Sequence, residues 1–169
     1  MSKAAAIVAL AVAAFAGCGS EEDGDEALGH AAGARVVRVI DGDTIEVSID
    51  GAEEDVRYIG VDTPETVKPD APVQCYGPQA SAANHRLVEG RAVRLVFDRE
   101  RRDAYGRLLA YVYTRARTEA GASRFVNAAL VRDGYARTLE IAPNTAHAPE
   151  LRRLQARAGT AGRGLWSAC

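Results

Sequence analysis

Arg57-Tyr58-Ile59-Gly60-Val61-Asp62-Thr63-Pro64-Glu65-Thr66 places a cation, two carboxylates and a proline-stiffened turn within ten residues. Upstream stands Asp41-Gly42-Asp43-Thr44, and downstream stands Asp103-Ala104-Tyr105-Gly106-Arg107. Two separated aspartates can hold a hard cation, two separated arginines can hold a phosphate, and a spare glutamate can activate a water. Together these parts read as metal-dependent phosphodiesterase chemistry.

Around that stretch the pattern is one of short strands. Arg35–Ile40 and Thr44–Ile49 are β-branched and partly alternating, and the Asp41-Gly42 dipeptide between them is a strong hairpin signal. Val56–Val61 forms a third strand after the Asp50-Gly51 turn, and Val93–Phe97 and Leu108–Tyr113 form a further pair around the Asp103–Gly106 loop. Residues 77–89 are Ala-rich and stop at Gly90, which predicts a helix. Ser123 is placed to N-cap a second helix through Arg132, with Phe125, Val126, Ala129 and Leu130 on one face. Leu151 and Leu154 predict a last, Arg-rich helix before Gly159. Five strands with about three helices predict an α+β domain, a five-stranded Greek-key β-barrel of the OB-fold type.

The N-terminus carries separate information. Lys3 precedes an apolar run from Ala4 to Ala16, a length that fits a signal h-region rather than a membrane span. Phe15-Ala16-Gly17-Cys18 resembles a bacterial lipobox, which makes residues 1–17 a lipoprotein-type signal peptide and Cys18 the lipidated residue; the alternative is a plain secretory signal cut nearby. Either reading predicts export, with the membrane reached only through the lipid. Residues 18–34 are acidic and Gly/Ala-rich and read as a disordered tether, leaving 35–169 as the folded domain. The chain carries −2 overall, but residues 1–34 hold one Lys and five acids, so the remainder has 20 basic and 18 acidic residues. That mild excess is compatible with a polyanion and does not by itself argue for one. With Cys18 lipidated, Cys75 and Cys169 remain as an even pair in an oxidising compartment, where a disulfide is the default and two unrelated thiols the alternative. Closing so long a loop would stabilise the fold by about 4–5 kcal/mol in the chain-entropy treatment.

Each candidate residue also has a plainer reading. Asp43 follows a hairpin turn and Asp62 ends a strand, so both can reach one rim of a barrel, where two carboxylates, a carbonyl and waters suit Ca²⁺. Taken alone, Asp41-Gly42-Asp43 is more readily a turn and nothing else. An EF-hand is excluded, because counting from Asp41 puts Glu46 where the loop requires glycine. The three histidines are scattered, which leaves no zinc site. Arg57 and Arg107 read singly as solvated surface cations, Glu65 as a turn carboxylate and Tyr105 as a half-buried loop aromatic.

The order and spacing of the motifs change those weights. From about Arg35 to Trp166 the chain resembles the thermonuclease (staphylococcal nuclease-like) family, through Asp41-Gly42-Asp43-Thr44, Arg57 with Asp62-Thr63-Pro64-Glu65-Thr66, and Asp103-Ala104-Tyr105-Gly106-Arg107. Asn127-Ala128-Ala129-Leu130-Val131 and Gly164-Leu165-Trp166-Ser167 agree with it as well. The resemblance implies an OB-fold with packed helices. It also implies a Ca²⁺ site from Asp43, Asp62 and the carbonyl of Thr63, with Asp41 close by. Arg57 and Arg107 then bracket the scissile phosphate, Glu65 is the general base, and Tyr105 contacts the nucleotide.

Two departures stand out. The family's stacking tyrosines are replaced within Tyr135-Ala136-Arg137-Thr138-Leu139-Glu140-Ile141-Ala142, and Ala104 stands where a lysine is usual. Glu140 is expected to weaken base stacking. The expectation is a monomeric, exported, Ca²⁺-dependent nuclease acting on single-stranded or frayed DNA and RNA. A non-catalytic OB-fold binding module is the alternative, and a calcium-dependent adhesin has only the acidic turn in its favour.

Overall fold

A computed structural model describes residues 30–66, 72–114 and 123–169. The expected signal peptide, Cys18 and the tether up to residue 29 lie outside the described residues. Strands β1 (Ala31–Val39), β2 (Thr44–Ile49) and β3 (Ala52–Tyr58) form an antiparallel meander. The β2–β3 turn puts Asp50 at φ 50° and Gly51 at φ 88°, the two left-handed residues that match the twist of a tight hairpin. Strand β4 (Val61–Asp62) and helix α1 (Gly77–Val88) follow, then β5 (Ala92–Val96) and β6 (Leu108–Thr114). β5 pairs with β1 and with β6, and β6 returns parallel to β3, which closes a five-stranded barrel. The expected OB-type α+β architecture is therefore present.

The barrel closes around apolar residues that recur at alternate positions of β2, β3 and β5. Ile45, Val47, Val56, Val93 and Leu95 are fully buried inside it. β6 is apolar on both faces: Leu108, Ala110 and Val112 join the barrel core, while Tyr111 packs outward with Ile59 and Val96. The outer layer is made by β7 (Arg124–Phe125), α2 (Val126–Arg132), β8 (Arg137–Thr138), α3 (Ala148–Thr160) and α4 (Leu165–Ala168). Leu130 of α2 and Leu151 of α3 seal it against the core.

Four details depart from the sequence reading. β1 starts at Ala31, inside the segment read as tether, because Ala31–Arg35 ladders onto β5; backbone pairing needs no large side chain and so leaves no hydrophobic signal. The third strand breaks at Gly60 (φ 79°), which sends Val61–Asp62 off the barrel to pair with β8. Ser123 does not cap α2; Arg124–Phe125 pairs with Tyr113–Thr114 first, and the Phe125 ring stacks on Tyr113 at 4.7 Å. The short α4 is an addition, and it places Cys169 against Cys75 in a disulfide with a Cα separation of 6.0 Å.

Candidate active site

Asp43 begins as an exposed-looking turn residue and ends up 4% exposed. Its backbone N–H donates to Asp41 Oδ1 at 3.0 Å, and its Oδ2 accepts the Thr63 N–H at 2.7 Å. Thr63 can come that close because residue 42 is glycine: a Cβ there would sit 2.5 Å from Thr63 Oγ1. Gly42 has no left-handed φ, so space rather than turn conformation demands it. A chain of buried hydrogen bonds backs the turn from within. Tyr58 Oη donates to Asn84 Oδ1 and Asn84 Nδ2 donates to the Asp41 carbonyl, both at 2.9 Å.

Arg57 projects from the end of β3 into the same corner. Its guanidinium donates to the carbonyls of Val61 (2.9 Å) and Tyr58 (3.2 Å) and meets Asp43 Oδ2 at 3.1 Å and Asp62 Oδ1 at 3.2 Å. One arginine therefore ties β3, β4 and the β1–β2 turn together. Burial raises the Asp43 carboxyl to about 7; Arg57 and the Thr63 N–H pull it down, and Asp41 pushes it further up. Burial likewise keeps the Tyr58 phenol protonated far above its ordinary range.

Arg107 is presented differently. The Asp103–Arg107 loop folds on Asp103, whose Oδ1 accepts the N–H groups of Tyr105 (2.9 Å) and Arg107 (3.0 Å). Asp103 Oδ2 accepts Arg107 Nε at 2.7 Å. Burial works to raise the Asp103 carboxyl, but these bonds from Arg107 and Tyr105 prevail and hold it below the usual carboxylate range. The Tyr105 ring is 86% exposed, with the Arg107 guanidinium 5.4 Å from its centre.

Arg57, Arg107 and Tyr105 line one cleft of about 380 Å³, whose far wall includes Leu139 and Ile141. The opposite side of the Tyr105–Arg107 loop is a hollow bordered by Glu46, Glu53, Glu54 and Asp55, whose charge disfavours a polyanion. The cleft sets Arg57 and Arg107 against Glu100 and the Arg107-paired Asp103, whereas the hollow sets Arg107 alone against four acids. The cleft is thus the more phosphate-compatible face. Glu140 does not line it. Its carboxylate pairs with Arg152 of α3, because Leu139 and Ile141 turn into the cleft and the residue between them turns out. The expected interference of Glu140 with stacking is not supported by this placement; the wall is aliphatic rather than acidic.

Asp43, Asp62, Thr63 and Arg57 are brought together by direct contacts, and Arg107 and Tyr105 share the cleft with Arg57. Glu65 follows Pro64 on the adjoining loop; its carboxylate accepts the Thr66 N–H at 2.8 Å, and it does not line the cleft. Two residues of the site were not anticipated. Asn84 props the Asp41 turn, and Asn127 bridges barrel and strand by donating to the Ile59 carbonyl (2.8 Å) and accepting the Val112 N–H (3.0 Å). The available signal was a buried-side asparagine inside each Ala-rich helix, where asparagine is unfavourable without a partner.

The donor set fits a hard cation. Asp43, Asp62 and the Thr63 carbonyl offer only oxygen, and the buried Asp43 carboxylate gains from nearby positive charge. Among the described residues no group of three or more His, Cys, Asp or Glu side chains converges, so backbone oxygen and water would complete the shell.

Comparison with known proteins bears on the same residues. The family described as "Staphylococcal nuclease homologue" matches residues 55–168, a span that holds Arg57, Asp62, Thr63, Glu65, Tyr105 and Arg107 and begins after Asp43. The chain is 43% identical over 133 residues to a thermonuclease of Staphylococcus hyicus, covering 79% of this chain and 75% of that one. It is 49% identical over 109 residues to a thermonuclease of Staphylococcus intermedius, covering 64% and 61% respectively. Endonuclease YncB of Bacillus subtilis (strain 168) is 42% identical over 132 residues, 77% of this chain and 59% of the relative. The last two relatives thus extend well beyond the part this chain matches.

Proposed function

The chain belongs to the Staphylococcal nuclease homologue family and is a nuclease, and from that premise we propose that it is an exported, Ca²⁺-dependent enzyme cleaving single-stranded or frayed DNA and RNA. The observation that carries the reading is the Asp43–Arg57–Asp62 ion-pair cluster, whose Arg57 also lines the cleft that Arg107 shares.

Arg57 and Arg107 grip non-bridging phosphate oxygens, where a planar guanidinium gives two parallel hydrogen bonds and offsets the charge that grows on phosphorus. Asp43, Asp62 and the Thr63 carbonyl would hold Ca²⁺, which when bound supplies further positive charge at the phosphate. Glu65 takes the proton of the attacking water. Tyr105 offers a face for the base or sugar, and the aliphatic pair Leu139 and Ile141 gives contact area without base reading. Cleavage then follows accessibility of the strand rather than sequence. For localisation, the lipobox-like Cys18, the acidic tether and the Cys75–Cys169 pair support an oxidised, lipid-anchored domain held outside the cytoplasm.

The test is cleavage of single-stranded DNA by the chain with Ca²⁺, with Mg²⁺ and with chelator. The expected result is Ca²⁺-dependent cleavage that disappears in the Asp43→Ala/Asp62→Ala double variant, and that Glu65→Gln reduces to a small residual rate while Ca²⁺ and oligonucleotide binding persist. Cleavage unchanged by chelator removes the metal assignment, and full activity in Glu65→Gln removes the base. Salt-sensitive binding without any turnover in the parent chain identifies a binding module instead.

A further inference from the structure

Gln74 has no place in the set above, yet it clasps the backbone of Glu65 from both sides. Gln74 Oε1 accepts the Glu65 N–H at 3.0 Å, and the Gln74 N–H donates to the Glu65 carbonyl at 2.9 Å. The Gln74 carbonyl accepts the N–H of Gly77, the first residue of α1, at 3.0 Å. A Cβ on Gly77 would lie 2.9 Å from the Glu65 carbonyl oxygen and 2.7 Å from Thr66 Cγ2, so the Pro64–Thr66 backbone is pressed onto the start of that helix. Gln74 fastens it there.

The fastener is itself anchored. Cys75, the next residue, is bonded to Cys169 at the end of α4. α4 is docked by its buried Leu165, whose N–H donates to the Gly134 carbonyl at 2.9 Å. Asp62, Pro64, Gln74, Cys75, Arg137 and Cys169 border one pocket of about 210 Å³, so the clasp and the bond sit beside an aspartate of the site. Without that bond, Gln74 would hold Glu65 only through a segment fixed at the helix end.

We infer that Gln74, anchored by the Cys75–Cys169 bond, is a positioning residue that sets the backbone of Glu65 and thereby aims its carboxylate, so that reduction of the bond slows hydrolysis while metal and oligonucleotide binding stay in place. The inference rests on the proposed role of Glu65. Reduction by a dithiol transfers two electrons and two protons to the disulfide, leaving thiols at Cys75 and Cys169, and the reagent closes to its own cyclic disulfide.

The experiment measures kcat, KM and Ca²⁺ affinity of the full chain on single-stranded DNA, with thermal melting as the control for folding. Gln74→Ala lowers kcat by about 10–100-fold, the range for lost orienting partners, with KM and Ca²⁺ affinity unchanged. Gln74→Glu, which keeps the acceptor for the Glu65 N–H, restores most of that loss. In a Glu65→Gln background, Gln74→Ala lowers the residual rate no further. The Cys75→Ser/Cys169→Ser variant loses kcat by about tenfold, and dithiothreitol reproduces the loss in the parent chain but adds nothing to the variant. The inference is overturned if Gln74→Ala keeps its kcat, if its penalty is equal in both backgrounds, or if kcat, KM and melting temperature all fall together. An active Glu65→Gln, by contrast, overturns the general-base reading on which it stands.

Discussion

Arg57 and Arg107 reach one cleft by opposite routes. Arg57 has four acceptors from three segments, and its side chain is 16% exposed. Arg107 has one carboxylate partner, Asp103, within its own loop, and its side chain is 31% exposed. The first arginine is part of the fold's closure and the second is a tenant of a self-contained turn. Preorganisation is therefore unequal: the Arg57 corner is set before any ligand arrives, whereas the Arg107 loop can adjust to one.

Substitutions at the two arginines break the comparison most strongly. Arg57→Ala is expected to lower kcat by about 10³-fold, through lost phosphate stabilisation and a buried Asp43 left without its counterion. Arg57→Lys should fare nearly as badly, because a point charge cannot span four acceptors. Arg107→Lys keeps the charge in a loop that tolerates repositioning, and its loss should be about 10–100-fold. Steady-state kinetics on one oligonucleotide measures both, and equal sensitivity of the two positions to Lys would show that the two arginines are equally fixed.

Gly42→Ala tests how rigid the Arg57 corner is. Its Cβ needs the space of Thr63, so melting should drop by the equivalent of about 1–3 kcal/mol, with weaker Ca²⁺ binding. Calorimetry together with Ca²⁺ titration decides it; an unaffected Ca²⁺ affinity would show that the Thr63 contact does not shape the site.

A pH titration separates the corners by sign. The Asp43 carboxyl titrates at about 7 when folded and near 4 when unfolded, so the metal-free fold is favoured by its protonation. That contribution is complete below about pH 4 and is lost as pH rises through 7. Ca²⁺ competes with the same proton, so apparent affinity should fall by up to about tenfold per unit below pH 7. The Asp103 carboxyl, held low, works the other way: its contribution is present at neutral pH and lost on acidification. Melting curves of Asp43→Asn and Asp103→Asn against the parent check both slopes; a parent slope that Asp43→Asn leaves intact would exclude Asp43 as its source.

Tyr105→Ala should have the smallest effect, about a fivefold rise in KM with little change in kcat, since an exposed ring contributes contact and no charge. A larger loss in kcat would move Tyr105 from the cleft wall into the chemistry.

Much of this was legible because local patterns agreed. Alternating β-branched runs and Asx-Gly turns predict the barrel strands, and the Asp43, Arg57, Asp62 and Arg107 positions stand at strand ends, where a barrel rim must be. The misreadings have a common cause. Ala31–Ala34 lacks side chains to signal a strand, Ser123 sits beside a phenylalanine that prefers to pair, and Glu140 reads as a cleft residue until Leu139 and Ile141 take the inward positions.

The sequence alone determined which groups are available and the strand periodicity that closes the barrel, because each follows from residue type and local spacing. Only the tertiary structure decided that Asp43 is buried, that Gly42 yields its space to Thr63, that Asn84 and Asn127 prop the site, and that Gln74 holds Glu65. Those facts depend on which groups meet across the fold, and contacts between residues 9 to 68 positions apart are set by packing rather than by any pattern along the chain.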